Sequence, residues 1–188
     1  MNKDKLKKDL INYINGLSEH KQDLDGYSYE DLYTMYLTIL DIKPEEMKVE
    51  IASVIREYRQ KYPELDLNEE QIIAETNLLE PINMVYVINK QIDKMKKEII
   101  DLKSWIVIYK EQLEDDLADY EKSKINPDAF NNFRLAELPG DISHDRYVVN
   151  NYPRQINELE EKISAKQEIV KKIFAYQDTV NDHFGLGI

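Results

Sequence analysis

The stretch from Val85 to Leu113, VYVINKQIDKMKKEIIDLKSWIVIYKEQL, decides the fold. Val85, Ile88, Ile92, Met95, Ile99, Leu102, Ile106, Tyr109 and Leu113 follow one another at unbroken three-four spacing. On a helix such positions form a narrow apolar seam, the pattern of a coiled coil and not of a globin-like helix face. Tyr120 continues the seam one heptad after Leu113, and Asp116 is its one polar failure. A helix of this extent reaches about 54 Å at about 1.5 Å per residue, longer than a compact domain of this size needs.

A second seam lies further along the chain. Val149, Tyr152, Ile156, Leu159, Ile163, Val170, Ile173 and Val180 keep the same spacing, with Lys166 and Gln177 as polar interruptions. Antiparallel pairing sets Leu113 against Leu159, Tyr109 against Ile163, Leu102 against Val170 and Ile88 against Phe184. One register satisfies these layers, which predicts a helical hairpin closing on itself. The rival is a homodimer in which each arm pairs across two chains, and seam spacing alone does not separate the two. The polar interruptions either fix register or face an opening where the N-terminal helices or another chain dock.

Residues 123–153 would form a loop or small subdomain at the far end of the hairpin. Asn126-Pro127-Asp128 reads as a helix start, and Leu138-Pro139-Gly140-Asp141 reads as a turn. Phe130, Phe133, Leu135 and Leu138 are apolar residues there with little local core to enter. Trp105, the only tryptophan, flanks the first seam. It widens the apolar stripe beyond a two-helix contact, which calls for a third helix or a partner surface.

Residues 1–80 carry four further helical signals. The first covers about residues 3–17 and ends near Gly16. The second begins at Ser28, an N-cap with Asp31 at the third helical position, and runs to about Leu40. Pro44, followed by Glu45 and Glu46, opens the third, and Pro63 follows it. Asn68 to Gln71 resembles a capping box and starts a short helix that reaches Pro81. The fold class is therefore all-α: an N-terminal helical domain (1–80), a first hairpin arm (81–122), a tip (123–153) and a second arm (154–188).

The second helix is rich in tyrosine. Tyr29, Tyr33 and Tyr36 lie in a broad apolar arc, and Glu30, Asp31, Thr34, Thr38 and Asp41 make a narrow polar stripe. A base-stacking platform would be bordered by lysine and arginine, and this helix has none. Burial in a small helical domain, or a tyrosine-lined protein interface, remains.

Composition limits function further. The chain has 188 residues, a net charge of −12 and no cysteine. The acidic excess sits in residues 1–122, a field of the wrong sign for direct nucleic-acid binding. Lack of cysteine removes disulfides and thiolate chemistry and fits a cytoplasmic protein. The lysine-rich start is not followed by an apolar run, so neither a signal peptide nor a membrane span is expected.

Chemistry-bearing patterns are sparse. No phosphate-binding glycine loop is present; Gly185-Leu186-Gly187 has no helix to follow. Asp141, His144 and Asp145 cluster in a DISHD sequence, yet only His20 and His183 exist besides, too few for a metal phosphohydrolase site. Glu114, Asp115, Asp116, Asp119 and Glu121 spread around the outer end of the first arm and fit no general acid/base geometry. No catalytic residue, cofactor or metal is expected.

The function expected from these features is a non-enzymatic protein-interaction module, an adaptor or inhibitor. Its partner-binding candidates are Phe130, Phe133, Arg134, Leu138, Arg146 and Tyr147 at the tip, with Glu114, Asp115 and Asp119 as an anionic ridge. The expected partner is a basic or nucleic-acid-binding protein, such as an enzyme whose cationic groove is occupied by an inhibitor carried by a phage or another mobile element. The alternative is a self-assembling coiled-coil scaffold.

Overall fold

A computed structural model of the chain describes residues 3–183, and side chains from 4 to 181. Those residues form α1 (Lys3–Leu17), α2 (Tyr29–Ile39), α3 (Pro44–Lys61), α4 (Glu69–Glu75), α5 (Pro81–Ile125), a 3₁₀ turn (Pro127–Ala129) and α6 (Asn132–His183). The fold is all-α, and the long helices α5 and α6 pack against each other as a helical hairpin. The chain divides into two compact units, residues 1–92 with 164–188, and residues 93–163.

In the first unit, local chemistry sets the helix starts. Ser28 caps α2 by accepting from the Asp31 backbone N–H at 3.1 Å, while its hydroxyl donates to the Asp31 carboxylate at 2.7 Å. Asn68 and Gln71 close a reciprocal capping box on α4. Both helices end on a left-handed residue, Asp41 (φ 49°) after α2 and Asn77 (φ 51°) after α4. Beyond each, the chain turns back: the Ile42 N–H donates to the Leu37 carbonyl, and the Leu78 N–H to the Ile73 carbonyl. These are Schellman closures, which satisfy carbonyls that the helix leaves open.

Leu10, Leu32, Tyr36, Met47, Ile72 and Ile88 fill the core of this unit. Tyr36 is fully buried, donates its hydroxyl to the Leu79 carbonyl at 2.8 Å and lies 5.9 Å from the Tyr13 ring. Tyr29 and Tyr33 stack at 6.2 Å and are half-buried. Burial drives the phenol pKa of Tyr36 far up and pushes Tyr13 and Tyr33 to about 12. The tyrosine-rich helix is thus core, with its ring edges reaching polar groups.

Helix α1 covers Lys3–Leu17, the extent expected from its spacing, with Gly16 in its last turn. That glycine gives room to an aromatic ring: a β-carbon there would collide with Cε2 of Tyr176. Lys166, an interruption of the second seam, is buried and docks on the end of α2. Its ammonium donates to the Asp41 carbonyl and stands 2.9 Å from the Asp41 carboxylate.

The second unit corrects the expected tip. α5 continues to Ile125, and only residues 126–131 separate it from α6. Asn131 caps α6 by accepting from the Arg134 backbone N–H at 2.7 Å. Leu138-Pro139-Gly140-Asp141 is therefore not a turn but lies within the helix. Leu138 and Ile142 are both buried and continue the α6 seam through the proline, which holds the segment helical. Pro139 lacks the N–H that would meet the Leu135 carbonyl, so the helix is locally weakened there.

The register is also displaced. The Tyr109 ring packs edge-on against His144 at 5.3 Å, not beside Ile163, and Lys103 reaches Glu160 at 3.5 Å. Seam spacing does not say where along the two arms the layers meet; the short connection sets this and moves the pairing toward the tip. Phe184, placed opposite Ile88 by the expected register, lies outside the described residues.

Candidate functional site

The tip of the hairpin, within residues 93–163, collects most of the residues singled out in the sequence. Arg134 is its centre. One guanidinium nitrogen, Nη1, donates to Asp141 Oδ2 at 2.9 Å. The other, Nη2, donates to Asp116 and lies 4.0 Å from Asp119 Oδ2. Asp116 sits at a seam position and is buried, with this cation as its ion partner. The Asp116 hydrogen bond in turn raises the guanidinium pKa.

Arg134 and Asp141 stand seven residues apart on α6, on either side of Pro139-Gly140. Their ion pair bridges the part of the helix that lacks a backbone hydrogen bond. Arg134 is therefore committed to the fold and is not a free group for a partner. Leu138 leaves the candidate set too, being 0% exposed. Asp119 is half-buried between Arg134 and Lys122.

Asp145 occupies the α6 seam beside this cluster and is almost fully buried. Burial raises its carboxyl pKa, and Asp116 adds to the rise; His144 opposes it, and Asp141 adds further. Asp141, His144 and Asp145 thus have separate tasks: one holds Arg134, one meets Tyr109, one lies in the core. Among the described residues no group of three His, Asp or Glu side chains is arranged to hold a metal ion.

What remains at the surface is distinct in character. Phe133 is 73% exposed and Tyr147 is 58% exposed. At about 100° per residue, their 14-residue separation returns them to one side of α6, with Gly140 midway between. A β-carbon at Gly140 would meet nothing within 4 Å, so this side of the helix is open between the two rings. Arg146 is exposed on the flank, and Phe130 is half-buried at the connection.

On α5, Glu111, Glu114 and Asp115 are exposed and make no ion pair among the described residues. Trp105 stays 48% exposed, its ring 5.9 Å from that of Tyr109. The Arg134 clamp was invisible in sequence, although Asp116 on an apolar seam was the signal that a cation had to meet it. Among the described residues no helix is long and apolar enough to cross a membrane. No family model, curated protein or solved structure matches the chain.

Proposed function

We propose that the chain is a non-enzymatic protein-interaction module, an adaptor or inhibitor, that binds a protein partner through the tip of its hairpin. The observation that carries this reading is the pair Phe133 and Tyr147. Both rings stand in solvent on a helix whose inward face is already filled by Leu138, Ile142 and Val148. Exposed aromatics beside an arginine, here Arg146, are the residue types that anchor interfaces. The unpaired carboxylates of Glu114 and Asp115 add a negative field close to the same end of α5. They favour a basic partner, including a protein that itself grips nucleic acid, and a net charge of −12 acts in the same direction.

The experiment is a salt titration of binding to a candidate basic target, with wild type beside the charge-reversed variant E114K/D115K. This reading expects affinity to fall with ionic strength and the variant to bind more weakly with a flatter salt slope. Equal affinity for both proteins at every salt concentration would remove the acidic face from the interface.

A further inference from the structure

We infer that the outward face of α5 between Lys97 and Glu111 is a self-association surface. It takes the same face of a second copy in antiparallel orientation, with the two-fold axis at Ser104. The hairpin seam is not involved, since Leu102, Ile106 and Leu113 point into the hairpin and are partly buried. The inference also goes beyond the tip reading and uses different residues.

The face is apolar where a solvent face should be charged. Ile100 is 63% exposed and Val107 57% exposed, and Ile108 and Trp105 are exposed with them. Ile100, Ser104, Val107 and Ile108 fall on the side of α5 opposite the seam, and Lys97 and Glu111 continue that stripe at its two ends. Such a stripe at three-four spacing is the pattern that pairs helices, and nothing within residues 93–163 covers it.

The charges choose the occupant and its direction. With the axis at Ser104, Ile100 meets Ile108 of the second copy, and Lys97 meets Glu111 of the second copy. Each pair occurs twice by symmetry. A parallel arrangement would place Lys97 against Lys97 and Glu111 against Glu111. Neither Lys97 nor Glu111 has an ion partner among the described residues, so both are available. Ser104 suits the axis: it is small, and its hydroxyl already donates to the Ile100 carbonyl at 2.9 Å, so burial orphans no donor. The patch extends about 21 Å along the helix at about 1.5 Å per residue, small for an interface, which implies association in the micromolar range.

The test uses the full chain. Sedimentation equilibrium from low to high micromolar concentration should show a monomer–dimer equilibrium. K97E and E111K should each weaken it about tenfold or more, since each replaces two attractive contacts by two repulsive ones. The double variant K97E/E111K should restore it. The chain has no cysteine, so Ser104→Cys gives an independent reading. Helices packed about 8–10 Å apart bring the two Cα atoms at the axis within disulfide reach, and S104C should form a disulfide dimer in a thiol redox buffer. E111C alone should not. A chain that stays monomeric throughout, a double variant that is not restored, or an E111C dimer as abundant as the S104C dimer would each overturn the inference. A monomer that still binds a partner through Phe133 would overturn it and leave the tip reading standing.

Discussion

The ammonium of Lys166 closes the C-terminal end of α2, donating to the Asp41 carbonyl and standing 2.9 Å from the Asp41 carboxylate. Helix α2 has no basic residue in its last turn, so the negative end of its dipole is met from α6 instead. The lysine is buried whereas Asp41 keeps most of its exposure, so removing the lysine leaves a carboxylate that water can still solvate.

Replacing Lys166 by Met keeps the stem volume and deletes the charge-assisted contacts. We expect a loss of about 1–3 kcal/mol in urea unfolding, the range for hydrogen bonds to charged groups. An unchanged midpoint would show that Lys166 fills space and does not dock α2.

Gly16→Ala tests the close approach of Tyr176. The ring has to move, and overpacking of this kind costs about 1–3 kcal/mol. Tyr176→Ala is costly by itself, but in that background Gly16→Ala should lose its penalty. Additive costs in the double variant would show that the two residues do not meet.

Arg134→Ala removes the cation shared by Asp116 and Asp141 and leaves Asp116 buried without it. We expect about 1–3 kcal/mol of destabilisation, the range for hydrogen bonds to charged groups, and faster amide exchange between Asn132 and Ile142. Pro139→Ala restores a helical N–H where the ion pair now bridges, so it should recover part of the loss. Exchange in that segment that ignores both substitutions would refute the clamp.

Asp145 gives a pH test with a fixed sign. Its pKa is raised in the folded chain, so folding takes up a proton as pH falls, and the carboxylate penalises the fold once it is ionised. The protonated group's contribution is complete below the ordinary aspartate pKa of 3.8 and is lost as pH rises through the raised value. Asp145→Asn should therefore raise the melting temperature at neutral pH, with the gain shrinking toward pH 4. A gain that is constant with pH would mean that the carboxyl titrates no differently in the folded and unfolded chain.

The backbone chemistry of the first unit was legible because it is local. Ser28 with Asp31, Asn68 with Gln71 and the proline at the start of α3 each set a helix end within a few residues of themselves. The apolar seams announced the hairpin for the same reason. Register was not legible, because seam spacing does not say where along the two arms the layers meet and only the connection decides. Pro139-Gly140 misled because its propensity for breaks is outweighed by tertiary contacts with Leu138, Ile142 and the Arg134 clamp. Lys166 and Asp116 were visible as faults in a seam, but their partners are far away in sequence. Of the candidate site, Phe133 was singled out for its lack of local core and Tyr147 for its place in the expected tip, whereas Arg134 and Leu138, chosen with them, are held within the fold.

The proposed tip interface rests on the exposed rings of Phe133 and Tyr147. Its most direct measurement is the affinity of a purified partner, first recovered by affinity capture, for wild type and for F133A/Y147A, with far-ultraviolet circular dichroism recorded on both. Neither ring is buried, so helicity and melting should match wild type within about 0.5 kcal/mol. Binding should fall by at least about tenfold, as loss of aromatic anchors requires. Equal affinity in a variant that remains fully folded would contradict the claim.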